Sequence, residues 1–335
     1  MNASAPLTGK VALVAGATRG AGRGTAVALG EAGATVYCTG RSSRTEPNKS
    51  GHHYAGRPET IEETAELVTA AGGVGIAVRV DHTNEGEVVA LFKRVKKEQR
   101  RLDVLVNILT GQPVTEWKPF WKLPVEKGRA MLDAWLWPHI TTCRHAAPLM
   151  VERGSGLIVE IVEQDTIGHH GQFYFDLFEV FLKRIAYTMA EELAPHGVSA
   201  LAITPGFMRT EAIMEGFGAT EENWREVAET NPKARGFGFA GSETPCFVGR
   251  AVAALAADAF VARKSGGLYS SWSLSEDYGF TDIDGSRPNM GAYMAEHFPH
   301  IFCAKPNIGF QWTLAPVPEA ERKRVKKKSK GARAA

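Results

Sequence analysis

The sequence has few cysteines, and they stand in no arrangement that would bind a metal or form a disulfide framework. Its four cysteines, Cys38, Cys143, Cys246 and Cys303, are far apart and form no C-x-x-C pair. Zinc sites and disulfide-rich secreted domains need cysteines at close or regular spacings. We therefore expect neither a metal site nor disulfide bonds.

Long apolar runs and a targeting leader are also missing. No segment approaches the roughly 18 uninterrupted apolar residues of a membrane-spanning helix. The first ten residues, "MNASAPLTGK", contain no basic region followed by an apolar run. We predict a cytoplasmic protein without a membrane partner.

Strong charge imbalance is absent as well, since the net charge is only +2 at pH 7 and the basic excess is local. Residues 321–335, "ERKRVKKKSKGARAA", hold that excess without apolar periodicity, and the rest of the chain is mildly acidic. Such a segment is typical of a solvated, disordered tail. We expect no nucleic-acid partner.

What the sequence does contain is a regular alternation of short apolar runs and longer helical patterns. Seven runs are almost continuously apolar, which is typical of strands in a parallel sheet covered on both faces. They are 10–16, 35–40, 75–81, 102–107, 156–162, 198–204 and 267–272. Helical patterns lie between them at 21–32, 59–71, 84–100, 126–151, 174–194 and 244–257. We predict an α/β fold: a Rossmann-like, doubly wound, seven-stranded parallel sheet with helices on both faces.

No linker divides this predicted sheet. We predict one domain over residues 1–275, which includes a long substrate loop at 206–243. Residues 276–320 are expected to form a carboxy-terminal extension packed on that domain, and 321–335 the basic disordered tail.

A glycine-rich turn follows the first predicted strand. The segment "AGATRGAGRG" (15–24) places Gly16, Gly20 and Gly22 between that strand and a helix. Glycines allow a tight turn and let the backbone approach a pyrophosphate, which then lies at the positive end of the helix. The spacing G-x-x-x-G-x-G in this strand–helix context predicts dinucleotide binding.

These features resemble the short-chain dehydrogenase/reductase family over residues 8–275. The resemblance is carried by "AGATRGAGRG", by "VD" at 80–81, by "DVLVN" at 103–107 and by "TPGFMRT" at 204–210. It implies a nicotinamide-dependent oxidoreductase that forms homodimers or homotetramers, with 1–275 as the cofactor-binding domain. Helices 126–151 and 174–194 are then expected to pack against their symmetry mates.

The resemblance also implies further cofactor contacts. Asp81 is expected near the adenine edge, and Asn107 near the cofactor ribose at the end of the fourth strand. Pro205, Gly206 and Thr210 match the family's turn beside the nicotinamide carboxamide.

The end of the second strand indicates which dinucleotide is bound. Family members that use NAD often carry an acidic residue there, but this chain reads "YCTGRSSR", with Gly40 and Arg41 at that place. Arg19 precedes Gly20 in the glycine turn. Two guanidinium groups and no carboxylate suit a 2′-phosphate, so we predict NADP(H) as the cofactor.

The family's usual catalytic residues are missing. Members use a Ser, a Tyr, a Lys four residues after the Tyr, and an Asn from the preceding long helix. Aligning "GLIV" (156–159) and "FDLFEV" (175–180) places Val162 at the serine, Phe175 at the tyrosine and Glu179 at the lysine. The asparagine falls near Asp133.

Two of the substitutions introduce an acid, since the lysine becomes Glu179 and the asparagine becomes Asp133. The segment "EIVEQD" adds Glu160, Glu163 and Asp165 nearby. Carboxylates in a partly dry pocket stabilise positive charge. We therefore predict reduction of an imine, an iminium or a conjugated carbonyl, with Glu179, Glu163 and Asp133 as candidate catalytic residues. Glu179 could instead pair with Lys183 on the surface, because the two stand four residues apart. A catalytically silent or regulatory dinucleotide-binding subunit and a non-redox cyclase or isomerase are the alternatives.

Aromatic residues in the loops on the carboxyl side of the strands indicate a bulky or aromatic small-molecule substrate. They are Trp117, Phe120, Trp121, Phe207, Phe217 and Trp224.

Overall fold

The structure, a computed structural model, describes residues 5–47, 56–109, 118–163 and 172–298. Seven parallel strands form one sheet in the order β3-β2-β1-β4-β5-β6-β7. The strands are β1 Val11–Ala15, β2 Thr35–Gly40, β3 Val74–Arg79, β4 Val104–Asn107, β5 Gly156–Ile161, β6 Val198–Thr204 and β7 Leu268–Ser270. The predicted fold class is confirmed, because near-continuous apolar strands need cover on both faces and the intervening helices provide it.

Twelve α-helices occur in the described ranges. They are α1 Gly20–Glu31, α2 Ile61–Ala70, α3 Glu85–Gln99, α4 Val125–Met131, α5 Trp137–Arg153, α6 Phe173–Leu193, α7 Glu211–Phe217, α8 Trp224–Thr230, α9 Pro232–Gly236, α10 Pro245–Ala257, α11 Ser271–Tyr278 and α12 Met290–His297. Short 3-10 turns lie at Phe120–Lys122, Ala194–His196, Phe239–Gly241 and Val261–Arg263. None of the helices in the described part of the chain is long and apolar enough to span a membrane.

The core consists of two layers, one on each face of the sheet. Along β1, Ala12 and Val14 point to the layer that α1 and α10 cover, whereas Leu13 points to the layer formed with α3 and α5. This alternation follows from the two-residue period of a strand.

Helices α1 and α10 approach closely because glycines face each other at their crossing. A Cβ at Gly24 would lie 2.2 Å from the backbone of Pro245, and one at Gly249 would lie 2.6 Å from the Gly24 carbonyl oxygen. Close packing here stabilises the start of α1, and with it the turn that precedes α1.

The helix predicted at 126–151 is interrupted. A π-helical turn, Leu132–Leu136, separates α4 from α5. A π turn inserts one residue into the helical repeat and changes which side chains face inward. The predicted disordered tail, the residues 299–320 of the extension and Trp117 lie outside the described residues.

Candidate functional site

The carboxyl ends of the parallel strands open into one cavity of about 290 Å³. Its lining comes from the glycine turn, the end of β2, the segment after β3, the end of β4, the α4–α5 region and the segment after β6. The lining residues include Gly16, Thr18, Arg19, Gly20, Arg41, Ser42, Asp81, His82, Leu109, Ala134, Pro138, Glu163, Met208, Thr210 and Glu211. In a doubly wound sheet, ligands bind in this crevice.

The glycine turn has no room for side chains. A Cβ at Gly16, where φ is +92°, would lie 2.2 Å from the Ile108 carbonyl oxygen. A Cβ at Gly22 would lie 2.0 Å from the Gly16 carbonyl oxygen. The turn therefore requires glycine, and its bare backbone leaves the start of α1 open to a ligand.

The start of α1 already attracts an anion within the protein. The Gly20 backbone N–H donates to Glu211 Oε2 at 2.9 Å, and Arg23 Nε lies 3.7 Å from Glu211 Oε1. Helix α1 has no side-chain cap and no acidic residue in its first turn. A carboxylate held at this helix end stands in for the phosphate oxygens of a dinucleotide, so these residues fit a pyrophosphate.

Arg41 lies half-buried at the cavity wall and makes no hydrogen bond or ion pair with another described residue. It influences Asp81, which accepts hydrogen bonds from the Thr83 N–H at 3.0 Å and from the Thr83 hydroxyl at 2.7 Å. Burial alone would raise the pKa of Asp81, but the Thr83 bonds and the Arg41 charge lower it overall. The Asp81 carboxylate therefore stays ionised beside the cavity.

Arg19 has a carboxylate partner. Its Nε lies 3.1 Å from Glu59 Oε2, and its Nη2 is 3.5 Å from Ser42 Oγ. Glu59 also binds Arg57. The two arginines proposed from the sequence thus differ in their partners. Arg19 forms an ion pair with Glu59, whereas Arg41 forms none with a described residue and could bind a phosphate.

His82 was not singled out from the sequence, yet it lines the cavity and is buried. Its Nε2 lies 2.8 Å from Thr39 Oγ1 and its Nδ1 lies 2.9 Å from Thr142 Oγ1. Burial lowers the pKa of His82 to about 3. His82 is therefore a neutral structural group and not a proton donor at physiological pH.

Asn107 lies at the end of β4 and is fully buried. Its Nδ2 donates to Glu160 Oε1 at 2.9 Å and to Cys143 Sγ at 3.1 Å. Its Oδ1 has no hydrogen-bond partner among the described residues. The pairing of β4 with β5 places Asn107 beside Glu160, so the register of the sheet creates this contact.

Glu160 forms a buried pair with His139 of α5. Glu160 Oε2 lies 2.5 Å from His139 Nδ1, and His139 Nε2 lies 2.9 Å from the Leu109 carbonyl oxygen. Burial alone would lower the pKa of His139, but the Glu160 charge and hydrogen bond raise it overall. Because a carbonyl only accepts, Nε2 carries a proton. A glutamate inside an otherwise apolar strand was the signal for this pair.

Glu179 and Lys183 are both buried on α6, with exposed fractions of 4% and 6%. The alternative of an exposed surface ion pair is therefore wrong. Glu179 Oε2 accepts a hydrogen bond from the Glu163 N–H at 2.6 Å. Burial, then the Glu163 charge, raises the pKa of Glu179 to about 8, although the Glu163 N–H and the Lys183 charge act against this. Glu179 thus holds a proton at neutral pH.

The remaining predicted site residues separate in the structure. Val162 is buried, and Phe175 packs edge-on against Trp135 with ring centroids 6.2 Å apart. Asp133 lies exposed on the π turn, whereas its neighbour Ala134 lines the cavity. The structure brings Glu163 and Glu179 together but leaves Asp133 at the surface, because the π turn rotates it outward.

The aromatic residues of the 206–243 loop do not line the cavity. Phe207, Phe217 and Trp224 pack around Phe239, with centroids 5.0–6.3 Å from its ring. They form a small core of their own, and the expectation that they contact substrate is not met in this structure. Phe120 and Trp121 are exposed.

Comparisons with known proteins agree with this architecture. The short chain dehydrogenase family model matches residues 10–221. Mouse dehydrogenase/reductase SDR family member 1 is 35% identical over 286 residues, which cover 84% of this chain and 85% of that protein. The 3-oxoacyl-(acyl-carrier-protein) reductase of Synechocystis sp. is 30% identical over 206 residues, covering 61% of this chain and 76% of that protein.

Solved structures share the fold. A short chain dehydrogenase from Mycobacterium thermoresistibile superimposes with a TM-score of 0.66 at 18% identity, over 85% of this chain and 92% of that chain. A hydroxysteroid dehydrogenase from Escherichia coli gives 0.60 at 21% identity, over 79% and 96%. The chain therefore belongs to the short-chain dehydrogenase/reductase family, whose members are oxidoreductases that use nicotinamide dinucleotides.

Proposed function

We propose that this protein is an NADP(H)-dependent oxidoreductase of the cytoplasm that works without a Tyr-x-x-x-Lys pair. Its substrate is a bulky imine, iminium or conjugated carbonyl compound. The observation that carries the proposal is the carboxyl pair where β5 ends and α6 begins, with Glu163 at the cavity wall and Glu179 bound to its backbone N–H.

The cofactor assignment rests on the cavity wall. Arg41 makes no ion pair with another described residue, and the hydroxyl of Ser42 lies beside it in the chain. A guanidinium and a hydroxyl at the end of β2 suit the 2′-phosphate of NADP(H). The Gly20 N–H would hold the pyrophosphate after Glu211 moves away.

The chemistry follows from the charges at the wall. Bound NADPH supplies a hydride. Glu163 lines the cavity; burial raises its pKa, and the Lys183 charge acts against this. As a carboxylate, Glu163 would stabilise a positively charged carbon–nitrogen group, so that an iminium needs only hydride to become an amine. Neutral imines and conjugated carbonyls need one proton as well. Glu179 holds a proton behind Glu163, and Lys183 balances the charge of the pair.

No phenol takes the place of the family's tyrosine. Phe175 has no hydroxyl, and the neighbouring Tyr174 ring lies against α4, where a Cβ on Gly128 would be 2.4 Å from Tyr174 Cε1. Simple ketones, which need a positioned proton donor at oxygen, are therefore expected to be poor substrates.

Steady-state assays with NADPH and matched imines, ketones and conjugated carbonyls test the proposal. Glu163→Gln and Glu179→Gln should each slow imine reduction by about ten- to a thousand-fold, because the first removes a preorganised carboxylate and the second removes the proton that Glu179 holds. Glu192→Gln, on the exposed face of α6, is the matched control and should be unchanged. Full activity in both test variants would rule out the carboxyl mechanism, and NADPH binding without turnover would favour a silent subunit.

A restoring variant gives the complementary test. Val162→Ser, Phe175→Tyr and Glu179→Lys together should move the preference towards ketones. Lys183 lies close enough to Glu179 to influence its pKa, so Glu179→Lys would place two ammonium groups side by side. Adding Lys183→Met should therefore improve the triple variant. Unchanged preference in both versions would contradict the assignment of these positions.

A further inference from the structure

A buried carboxyl group outside the catalytic region contacts the segment that follows β6. Glu243, with an exposed fraction of 1%, precedes α10. Its Oε2 accepts hydrogen bonds from the Gly206 N–H at 2.9 Å and from the Ser271 hydroxyl at 2.6 Å. One carboxyl oxygen thus joins the turn after β6 to the start of α11.

The backbone of Glu243 holds the same segment. The Glu243 N–H donates to the Phe207 carbonyl oxygen at 2.9 Å, and the Arg209 N–H donates to the Glu243 carbonyl oxygen at 2.8 Å. Together with the side-chain bond to Gly206, three hydrogen bonds from one residue hold positions 206–209. Such a dense set of contacts makes the conformation of this segment depend on Glu243.

The turn at Gly206 is tightly packed on both sides. A Cβ at Gly206 would lie 2.9 Å from Glu243 Oε2 and 2.9 Å from the Cβ of Met290 on α12. The turn is therefore enclosed between the Glu243 carboxyl and the carboxy-terminal extension. Met208, within the held segment, and Thr210, directly after it, both line the cavity.

The chemical state of the carboxyl group is consistent with a fixed structural role. Burial raises the pKa of Glu243 to about 8, although the bonds from Ser271 and Gly206 act against this. Oε1 has no hydrogen-bond partner among the described residues. A neutral carboxyl can accept both bonds at Oε2 without placing an unpaired charge in the core.

We propose that Glu243 is a positioning residue of the cofactor site. Together with Ser271 it fixes residues 206–210 against the cavity, so that cofactor affinity depends on a side chain that does not line the cavity. The inference rests on the proposed function in one respect, namely that this cavity binds NADP(H).

Four single variants test this role: Glu243→Ala, Glu243→Gln, Ser271→Ala and Ser275→Ala. The last is the matched control, because Ser275 is a buried serine of the same helix whose hydroxyl bonds to the Phe280 carbonyl oxygen and not to the held segment. Calorimetric titration with NADPH gives the affinity, and hydrogen exchange of the Gly206 and Arg209 amides reports the segment directly.

Glu243→Ala should weaken NADPH binding at least tenfold and speed exchange at both amides. Ser271→Ala should weaken binding several-fold, and it serves as the test if Glu243→Ala does not fold. Glu243→Gln should stay within about twofold of wild type, because its amide oxygen can accept both bonds, and Ser275→Ala should bind as wild type does.

Wild-type affinity in a folded Glu243→Ala or Ser271→Ala variant would overturn the inference alone. Equal weakening in Ser275→Ala would reduce the effect to general destabilisation and would also overturn it. A wild-type protein that binds no dinucleotide would overturn the proposed function and this inference together.

Discussion

The carboxyl edge of the sheet has two sides, the β1–β2 side and the β5–α6 side, and they differ in how closely their residues match the family pattern. On the β1–β2 side, Gly16, Gly20 and Gly22 keep their places, and the backbone around Gly16 and Gly22 leaves no room for a side chain. On the β5–α6 side, the strand and helix are present, and the sequence alignment predicts Glu179 and Phe175 at the positions of the usual lysine and tyrosine. The first side keeps the glycines of the family pattern, whereas on the second side the predicted alignment keeps only the positions of the catalytic residues.

The difference has a physical cause. A glycine turn is defined by backbone close approach, so a side chain there disrupts the fold itself. Helix α6 is held by its apolar face, through Phe178, Leu182 and Ala186. Packing of this kind leaves the polar groups near the cavity free to change. The residues of the glycine turn are thus constrained by the backbone of the fold, whereas the polar side chains of α6 near the cavity are not.

We expect the largest effect from a substitution in the glycine turn of the β1–β2 side. In Gly22→Ala the added Cβ would lie 2.0 Å from the Gly16 carbonyl oxygen. We expect a loss of about 1–3 kcal/mol in the free energy of unfolding and no measurable dinucleotide binding, as followed by urea denaturation and calorimetry. Gly216→Ala in α7, with open space around its Cβ, is the control and should lose neither. A Gly22→Ala protein that binds NADPH normally would show that the turn is not tied to the fold.

The next largest effect concerns subunit association through the exposed face of α6. Phe173, Leu177 and Phe181 form an exposed stripe at four-residue spacing on α6, and Trp137 of α5 is exposed as well. Apolar stripes of this kind are normally covered. We propose that a second copy covers this one, giving a homodimer or homotetramer. Sedimentation of Phe181→Asp at micromolar concentration should show monomers.

The matched control for that substitution is Phe260→Asp, since Phe260 is also exposed but does not belong to the stripe. Its sedimentation should equal that of wild type. A wild-type protein that is monomeric at micromolar concentration would refute the assembly.

We expect a smaller effect from a substitution at the end of β2, which tests the preference for NADPH over NADH. Arg41→Ala should weaken NADPH binding by about ten- to a hundred-fold and leave NADH binding nearly unchanged, because only NADPH carries the 2′-phosphate. Arg44→Ala is the control, as the Arg44 guanidinium pairs with exposed Glu66. Fluorescence titration measures both affinities, and equal wild-type affinities for the two cofactors would count against the assignment.

The smallest expected effect concerns the pH dependence of stability, which should differ between Glu179 on the β5–α6 side and His82 near the end of β3. Burial raises the pKa of Glu179 from 4.5 to about 8, so the folded protein keeps a proton that the unfolded chain loses in that range. This contribution to stability is full below pH 4.5 and is lost as the pH rises towards 8. Glu179→Gln should lose less stability than wild type between pH 5 and 8.

His82 gives the opposite sign. Burial lowers its pKa from 6.5 to about 3, so its contribution is present above pH 6.5 and is lost as the pH falls. His82→Asn should therefore flatten the stability curve on the acid side, and Glu179→Gln on the alkaline side. Urea denaturation across pH 4–9 measures both, and parallel curves for the three proteins would contradict the buried states of both groups.

The sequence predicted the architecture well because its signals are local. Strand period, helix period and the glycine turn each lie within a few consecutive residues, and all seven strands lie where these patterns place them. The alignment of Glu179 with the family's lysine also follows from local spacing within one helix. The spacing of Glu179 and Lys183 shows that they share a face of α6, but it does not say whether that face is exposed or buried.

The sequence by itself determined the fold and the place of the glycine turn, because each depends on residues close together in the chain. Only the tertiary structure decided what surrounds the polar groups. The π turn put Asp133 at the surface, the register of β4 and β5 joined Asn107 to Glu160, and Glu243 reached Gly206 across 37 residues. Burial and long-range contact set the charge of these groups, and neither is encoded in any short stretch of sequence.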